Sequence, residues 1–492
     1  MPRTAQQVCP AVCALLLAVL AAASLTPAAA QVPDTLRPPV GFSEPAIAQP
    51  IDAYRLPDWH FSTLTLRGDA FGSRGTSSFE ETDRTNSNFQ SQFAPDYRAL
   101  WESEERVLSL DVSPSLNYTS SEVDQSSGPS SSNVEESRLR LSLDARSRYD
   151  RYVSAGTFLR VEEELELSYD RTSRDPEQNP PSIDSGPPEV ATDRSRTLLA
   201  SNTRVGVGWG RVRDVTPVIR ALRVDERLRS LGQEGLSTDA VQAAARQFAR
   251  VPGYEAVYDR PDKYFWGEFF DATSEAGLSS LETFYVADVL REPIGRRFEG
   301  AEVVVGPDVR VLHLDTDFQS SNRFSEDFSG TDVLAGGFLS ARWFENPSLR
   351  HQFGAELSAS YLFGLSEVEV VRDDLERQWS VRPAVSWNGL VADRLRIDTR
   401  LFASVAGEAI TQDLRTPAGR DISESETLIR QTYGADATAT VFVENRLAVD
   451  AEAQVLHGRT EQLAFVADTA LATTWDLQFR LAFRYFLFRS LQ

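Results

Sequence analysis

The chain has 492 residues, with 72 acidic against 50 basic side chains and a formal net charge of −22. That balance excludes a nucleic-acid binder, which needs net positive surface against phosphate. Cys9 and Cys13 are the only cysteines, so neither a disulfide framework nor a thiolate metal site is expected.

Residues 1–30 read as a secretory signal peptide. Arg3 supplies the positive end, Ala11–Ala23 is a short apolar core, and "TPAAAQ" places small residues before a cut between Ala30 and Gln31. The apolar core is too short to span a bilayer. Both cysteines leave with it. Residues 31–55 are Pro-rich and predict an extended periplasmic lead-in. No later stretch holds 18 consecutive apolar residues, so no transmembrane helix is expected after the signal.

From residue 56 the pattern has period two. In "DLQFRLAFRYFLF" (476–488), Leu477, Phe479, Leu481, Phe483, Tyr485 and Leu487 share one face, and Gln478, Arg480 and Arg484 share the other. "RLRLSLDARS", "FGAELSASYLFG" and "RLAVDAEAQV" repeat the alternation. These runs last about 10–14 residues, longer than the 5–6 residues or so of a soluble sandwich strand. Their polar face is charged throughout, as in a strand with lipid on one side and water on the other. Short polar connections at 102–106, 146–152, 345–351, 391–395 and 443–447 alternate with long Ser-, Asp-, Pro- and Gly-rich ones at 72–87, 119–136, 170–195, 317–331, 366–377, 412–427 and 457–474. Strand starts fall near residues 59, 90, 107, 137, 153, 196, 301, 333, 352, 378, 395, 431, 446 and 476. The expected fold is therefore an all-β transmembrane antiparallel barrel of about 14 strands, with six strands in 56–210 and eight in 298–492. "LAFVADTALATTW" (463–475) is read as external loop and the start of the last strand.

With a signal peptide, dyad strands and an aromatic-rich final strand, the chain resembles the Gram-negative outer-membrane β-barrel class, porin-like in character. The resemblance implies an outer-membrane location, surrounding lipid and the barrel assembly machinery as partners. Such proteins commonly end in an aromatic residue. Here Phe488 is followed by "RSLQ", a departure in the assembly signal.

Between strands six and seven the period changes. Residues 211–297 predict four helices. The first has Thr216 as cap, Pro217 in its first turn and a stripe of Val218, Ala221, Val224, Leu228 and Leu231 before Gly232. The second is capped by Ser237 or Thr238 and stopped by Pro252-Gly253. The third starts at Pro261 with Tyr264, Phe265, Trp266, Phe269 and Phe270, which read as core packing ahead of a ligand site. The fourth runs from Ser279 to before Pro293. The insert can hang below the barrel, plug the lumen or dock a periplasmic partner. Gly206, Gly208 and Gly210 lie on the inward parity of strand six and suggest a close approach. They join Tyr264 and Trp266 as constriction candidates.

The lumen-lining charge candidates are Arg138, Arg140, Glu164, Glu166, Glu356, Arg396, Asp398, Arg400, Asp450, Glu452, Arg480 and Arg484. Arg146, Arg148 and Glu162 fall in the same ladder. These charges either pair across strands or set a transverse field in a pore. Glu163 falls on the lipid parity, which requires a bulge or a position above the membrane. His60, His313, His351 and His457 are scattered, and no HExxH, GxSxG or P-loop pattern occurs. No enzyme, metal or cofactor is expected. The expected function is a channel for small polar solutes with a mouth narrowed by the insert. The alternative is a barrel anchor whose helices dock an envelope or export partner.

Overall fold

The structure is a computed structural model that describes residues 44–485 apart from 80–81, 128–129, 155, 180–190, 259, 274–279, 293, 322–324, 366–374, 392–394, 416–420, 445–446 and 464–469. The signal peptide, residues 31–43 and the chain end at 486–492 lie outside the described residues. Fourteen strands form one antiparallel meander in strict chain order: β1 (Trp59–Phe79), β2 (Thr82–Glu102), β3 (Arg106–Ser127), β4 (Ser130–Ser154), β5 (Thr157–Asn179), β6 (Thr192–Asp214), β7 (Phe298–Ser320), β8 (Ser325–Ser348), β9 (His351–Gly364), β10 (Leu375–Val391), β11 (Leu395–Arg415), β12 (Asp421–Glu444), β13 (Leu447–Leu463) and β14 (Ala470–Tyr485). The strand number and the place of the helical insert are as the sequence predicts. β1 and β14 are the two edges; among the described residues no ladder joins them.

Two kinds of connection differ from expectation. The Ser- and Asp-rich stretches expected as long loops mostly continue the hairpins: β1 and β2 pair up to Phe79↔Thr82, and β3 and β4 up to Ser127↔Ser130. Backbone pairing propagates there without an apolar face. "RSRYDRY" is not a turn, because β4 runs through it to Ser154 and places Asp150 and Arg148 on the charged face.

The sheet is strongly curled. Arg310 on β7 donates to the side-chain amide oxygen of Gln378 on β10 at 3.0 Å, although strands three apart are separated by about 14 Å in a flat sheet. The richer apolar parity faces outward on most strands; β1 is mixed, with Leu64 and Leu66 outward and Trp59, Phe61 and Phe71 on the concave parity. Val205 pairs with Val161, Leu357 with Pro383, and Val455 with Leu477 on this convex side. It remains open to the surroundings, with Leu477 75% exposed.

Aromatic side chains on the convex face fall into two levels. Trp101, Trp209, Trp343, Phe353, Trp387 and Phe483 lie toward the short-turn end, and Phe93, Tyr169, Tyr361, Trp379 and Trp475 lie toward the other. On β2, β9, β10 and β14 the two levels are about eight residues apart. That is about 27 Å along a strand and about 20 Å along the axis at a tilt of about 40°.

Glu163 breaks this surface. The β4–β5–β6 register has no bulge around it, since Glu163 pairs with Ser147 and Thr203. It also sits midway between Thr157, the partner of Trp209, and Tyr169. Neither a bulge nor a position beyond the band therefore explains it. Its carboxylate accepts from Ser201 Oγ at 2.7 Å and from the Thr203 hydroxyl. A charge on an apolar outer face costs more than two exposed hydroxyl bonds return. Glu163→Leu should raise the unfolding free energy of the lipid-reconstituted protein by on the order of 1 kcal/mol, read as a higher urea midpoint; a fall would show that the carboxylate–hydroxyl cluster stabilises the fold.

The helical module is larger than expected. Glu44–Ala53 is a helix, α1, rather than extended chain. The insert holds α2 (Thr216–Ser230), α3 (Thr238–Ala249), α4 (Val251–Val257), α5 (Pro261–Thr273) and α6 (Ser280–Ala287), followed by a 3-10 turn at Asp288–Arg291. Pro252-Gly253 opens α4 instead of ending the helices, since proline fits a first turn. Ser237 caps α3 through Ala240 N. Thr216 does not cap α2; its hydroxyl accepts from Arg297 N. One apolar core joins Ile47, Ile51 and Tyr54 of the N-terminal segment to Val218, Ile219, Leu228, Phe248, Phe265 and Phe269.

Tyr254 at the end of this core donates to Glu268. Burial, and then that bond, push its phenol up to about 12. Its contribution is present in full below the free-tyrosine value of about 10 and is lost as pH rises through about 12. The helical circular-dichroism melt should therefore weaken across that window in the native protein and less steeply in Tyr254→Phe; equal slopes would remove Tyr254 as the cause.

Candidate functional site

The concave face carries the charge, and its centre is Glu302 on β7, only 2% exposed. Arg160 on β5 bonds Asp150 on β4 through Nε at 2.7 Å and Nη2 at 3.0 Å, and bonds Glu302 at 3.1 Å. Arg342 on β8 donates to Glu302 through Nε at 3.0 Å, and Arg148 reaches Asp150 at 2.6 Å. Deeper along the strands, buried Asp308 receives Arg204 and Arg310, each at 3.3 Å. Charges this deep persist only with partners. The network ties β4, β5, β7 and β8 across the inner wall.

Phe158, Val304 and Phe338 form a small buried cluster beside it. Arg160 lies 5.0 Å over the Phe158 ring. A Cβ on Gly208 would strike that ring, and one on Gly206 would lie 2.7 Å from Val304 and 3.0 Å from Phe338. The two glycines thus make room for side chains of their own sheet, not for the insert. Gly210 (φ 86°) pairs with Glu302 and Gly300 (φ 105°) with Val212 in the β6–β7 ladder near the insert, and each glycine faces a backbone carbonyl of the other strand.

The helical module sits at the short-turn rim. Arg211 donates to the Glu104 carboxylate at 2.8 Å and to the Ser103 carbonyl at 3.1 Å in the β2–β3 turn, while stacking 4.1 Å over Tyr152. Leu56 N donates to Glu104 at 2.8 Å. On the other side Leu349 of the β8–β9 turn joins the helical core. Arg297, 1% exposed, donates to the carbonyls of Ile294 (3.2 Å), Arg350 (3.2 Å) and Asn388 (3.3 Å). Gly295 packs on the guanidinium of Arg396. Contacts therefore run from the β2–β3 turn to the base of β11. Tyr264 is exposed and stacks on Tyr258 at 4.2 Å. Trp266 is half-buried against Phe265 and Phe269. Neither reaches the β6 glycines.

The predicted lining residues separate into groups. Arg138 pairs with Asp170, through Nε at 3.0 and 3.1 Å. Arg396 pairs with Asp398 at 2.6 Å, Arg400 with Glu356 at 3.6 Å, and Arg480 with Glu452 at 4.0 Å. Asp450 accepts from Thr440 at 2.8 Å. Arg140 is exposed on the inner face. The side chain of Arg484 lies outside the described residues. Glu164 and Glu166 line a chamber of about 550 Å³ whose wall runs from β4 to β11 and includes Asp144, Arg146, Arg310 and Glu408. Sequence reasoning missed Asp150, Arg160, Glu302 and Asp308. Their shared even parity on β4, β5 and β7 was the available signal.

Glu302→Gln should cost about 3–5 kcal/mol in unfolding free energy by stranding Arg342 and Arg160. Arg480→Gln, at an exposed pair, should cost below about 1 kcal/mol. Equal urea midpoints for the two variants would show that the inner network carries no stability.

No protein-family model matches the chain, and comparison with characterised proteins returns no match. Among solved structures, the chain is similar to the transport unit of the autotransporter AIDA-I from Escherichia coli (TM-score 0.23, 9% identity, 87% of this chain and 90% of that one). It is also similar to the translocator domain of autotransporter NalP from Neisseria meningitidis (TM-score 0.25, 7% identity, 73% and 86%) and to the CymD monoaromatic hydrocarbon channel (TM-score 0.25, 8% identity, 89% and 90%). Likeness at such scores says nothing about activity.

Proposed function

We propose that this protein is an outer-membrane β-barrel, closed by pairing of β14 with β1, whose lumen passes small polar solutes and whose periplasmic mouth is narrowed by the helical module. The observation that carries the reading is the division of the strands into two faces. The outer face is apolar between two aromatic levels about 20 Å apart along the axis, near the band of about 25 Å that a bilayer imposes. The inner face is charged and encloses a chamber of about 550 Å³. Unpaired backbone groups along both edges cannot be left in hydrocarbon, which favours closure. The short-turn rim is periplasmic in such barrels, so the module there stands across the inner mouth.

A second reading has one observation in its favour. Tyr258, Tyr264 and Tyr285 are exposed on the module, as a docking face would be for an envelope partner.

The two readings differ in conductance. Protein whose compact form is established by heat-modifiable gel migration is placed in planar bilayers, alongside a variant in which residues 216–291 are replaced by a short turn. The channel reading expects discrete conductance in both and a larger step without the module. Silence in both folded proteins would discard it in favour of the anchor.

A further inference from the structure

We infer that the inner chamber selects for cationic solutes, so that the channel proposed above passes or retains small molecules bearing ammonium or amino groups in preference to anions. The inference rests on that channel reading. Its ground is the uneven way in which the inner charges are spent. Four arginines near the chamber are already committed: Arg148, Arg160 and Arg342 to Asp150 and Glu302, and Arg204 to Asp308, whereas Arg140, further along β4, has no ion pair among the described residues. Arg310, which reaches the chamber wall, is held by Asp308 and Gln378. The carboxylates facing the space are not spent in this way. Asp144, Glu164 and Glu166 have no ion pair among the described residues, and Glu408 receives only the amide of Gln378. Arg146 is the one guanidinium of the lining without such a partner.

The chamber is also placed to act on whatever crosses. Its lining runs from β4 through β5, β6, β7 and β8 to Gln378 on β10 and Glu408 on β11; β4 and β11 are seven strands apart in a ring of fourteen, so these two ends of the lining lie opposite one another once the sheet closes. Carboxylates from both sides then bear on the same volume. Arg310 reaches from β7 to Gln378 on β10, and Gln378 donates to Glu408 on β11, so a chain of side-chain bonds crosses the concave face beside the chamber. Like-signed groups around low-dielectric walls concentrate the counter-ion. Among the described residues no three such groups converge as metal ligands. Recognition is therefore by a field over a volume, and it suits an extended or mobile cation rather than one fixed ion.

The test is the zero-current potential of single channels in a potassium chloride gradient. The native protein should be more permeable to potassium than to chloride. Asp144→Asn, Glu164→Gln and Glu166→Gln together should lower that permeability ratio by about threefold or more, because exposed groups within a Debye length of about 10 Å act jointly. Arg146→Gln should move the ratio the opposite way. Spermidine added to one side should block potassium current in the native protein and less in the triple variant. A native channel with no preference or an anion preference overturns the inference and leaves the channel standing, as does a triple variant with the native ratio. Folded protein without any conductance overturns both together. Folding of each variant is read from its gel migration, and the opposite shifts of the acid and arginine variants separate a field from general damage.

Discussion

A slip of one residue between any two neighbouring strands would turn that part of the wall inside out. Side chains alternate with a period of two, so register alone decides which set meets lipid and which meets water. Here the ladders hold over 20 or so residues, and the shifts lie at strand ends: Tyr152/Ser154, Glu345/Ser348 and Phe442/Glu444 beside short turns and Leu375/Arg377 beside the long β9–β10 connection. The same rule that keeps Leu159, Val161 and Leu167 outside places Arg160, Glu162 and Glu166 inside. The inner network, the chamber and the outer aromatic levels are three results of one pairing pattern.

The inner wall is not uniform. Around Glu302 and Asp308 the acids are buried and the arginines converge on one oxygen of each, while Glu302 Oε2 has no hydrogen-bond partner among the described residues. A few residues further along β4 and β5 the wall is wet, and the acids there face open space. Buried ion pairs contribute less to stability than their number suggests, because desolvation offsets most of their attraction. Their effect in this molecule is positional: Arg160 and Arg342 both converge on Glu302, so β4, β5, β7 and β8 keep a fixed curvature. The chamber can hold unpaired charge because the neighbouring network supports the wall around it.

Much of this was legible in the sequence, for a definite reason. Alternation in "RLRLSLDARS" or "DLQFRLAFRY" states both the strand and its faces, and counting tight connections states the topology. The stretches that misled are those where another influence outranks hydrophobic pattern. Ser120–Ser127 and Ser130–Ser137 have no apolar face and look like loop, yet their backbones pair because the hairpin is already in register below them. "YDRY" resembles a polar turn, but its charges are destined for an interior that only the neighbouring strand completes. "EPAIAQPIDA" carries Pro50 and reads as extended chain; it is helical because Ile47 and Ile51 find the module core. The candidate site was legible as a set of inward residues and not as a constellation. Whether Arg310 meets Gln378 depends on curvature, which no single strand encodes.

The insert enters and leaves at one point. Val215 N donates to the Arg297 carbonyl at 2.8 Å, Arg297 N donates to Thr216 Oγ1 at 2.8 Å, and Asp214 pairs with Phe298. Kinetically, β6 and β7 must find each other across a long gap of chain, and closing such a loop costs entropy that grows with its length, about 0.6 kcal/mol per doubling. Helices form locally and fast. A module that condenses first turns that long gap into a short tether, with the two strand ends presented side by side. Its helix α1 lies ahead of β1, so the same early nucleus also gathers the start of the first strand. The helices at the mouth would then act as the template on which the wall is wound, and their loss should show first as slow refolding.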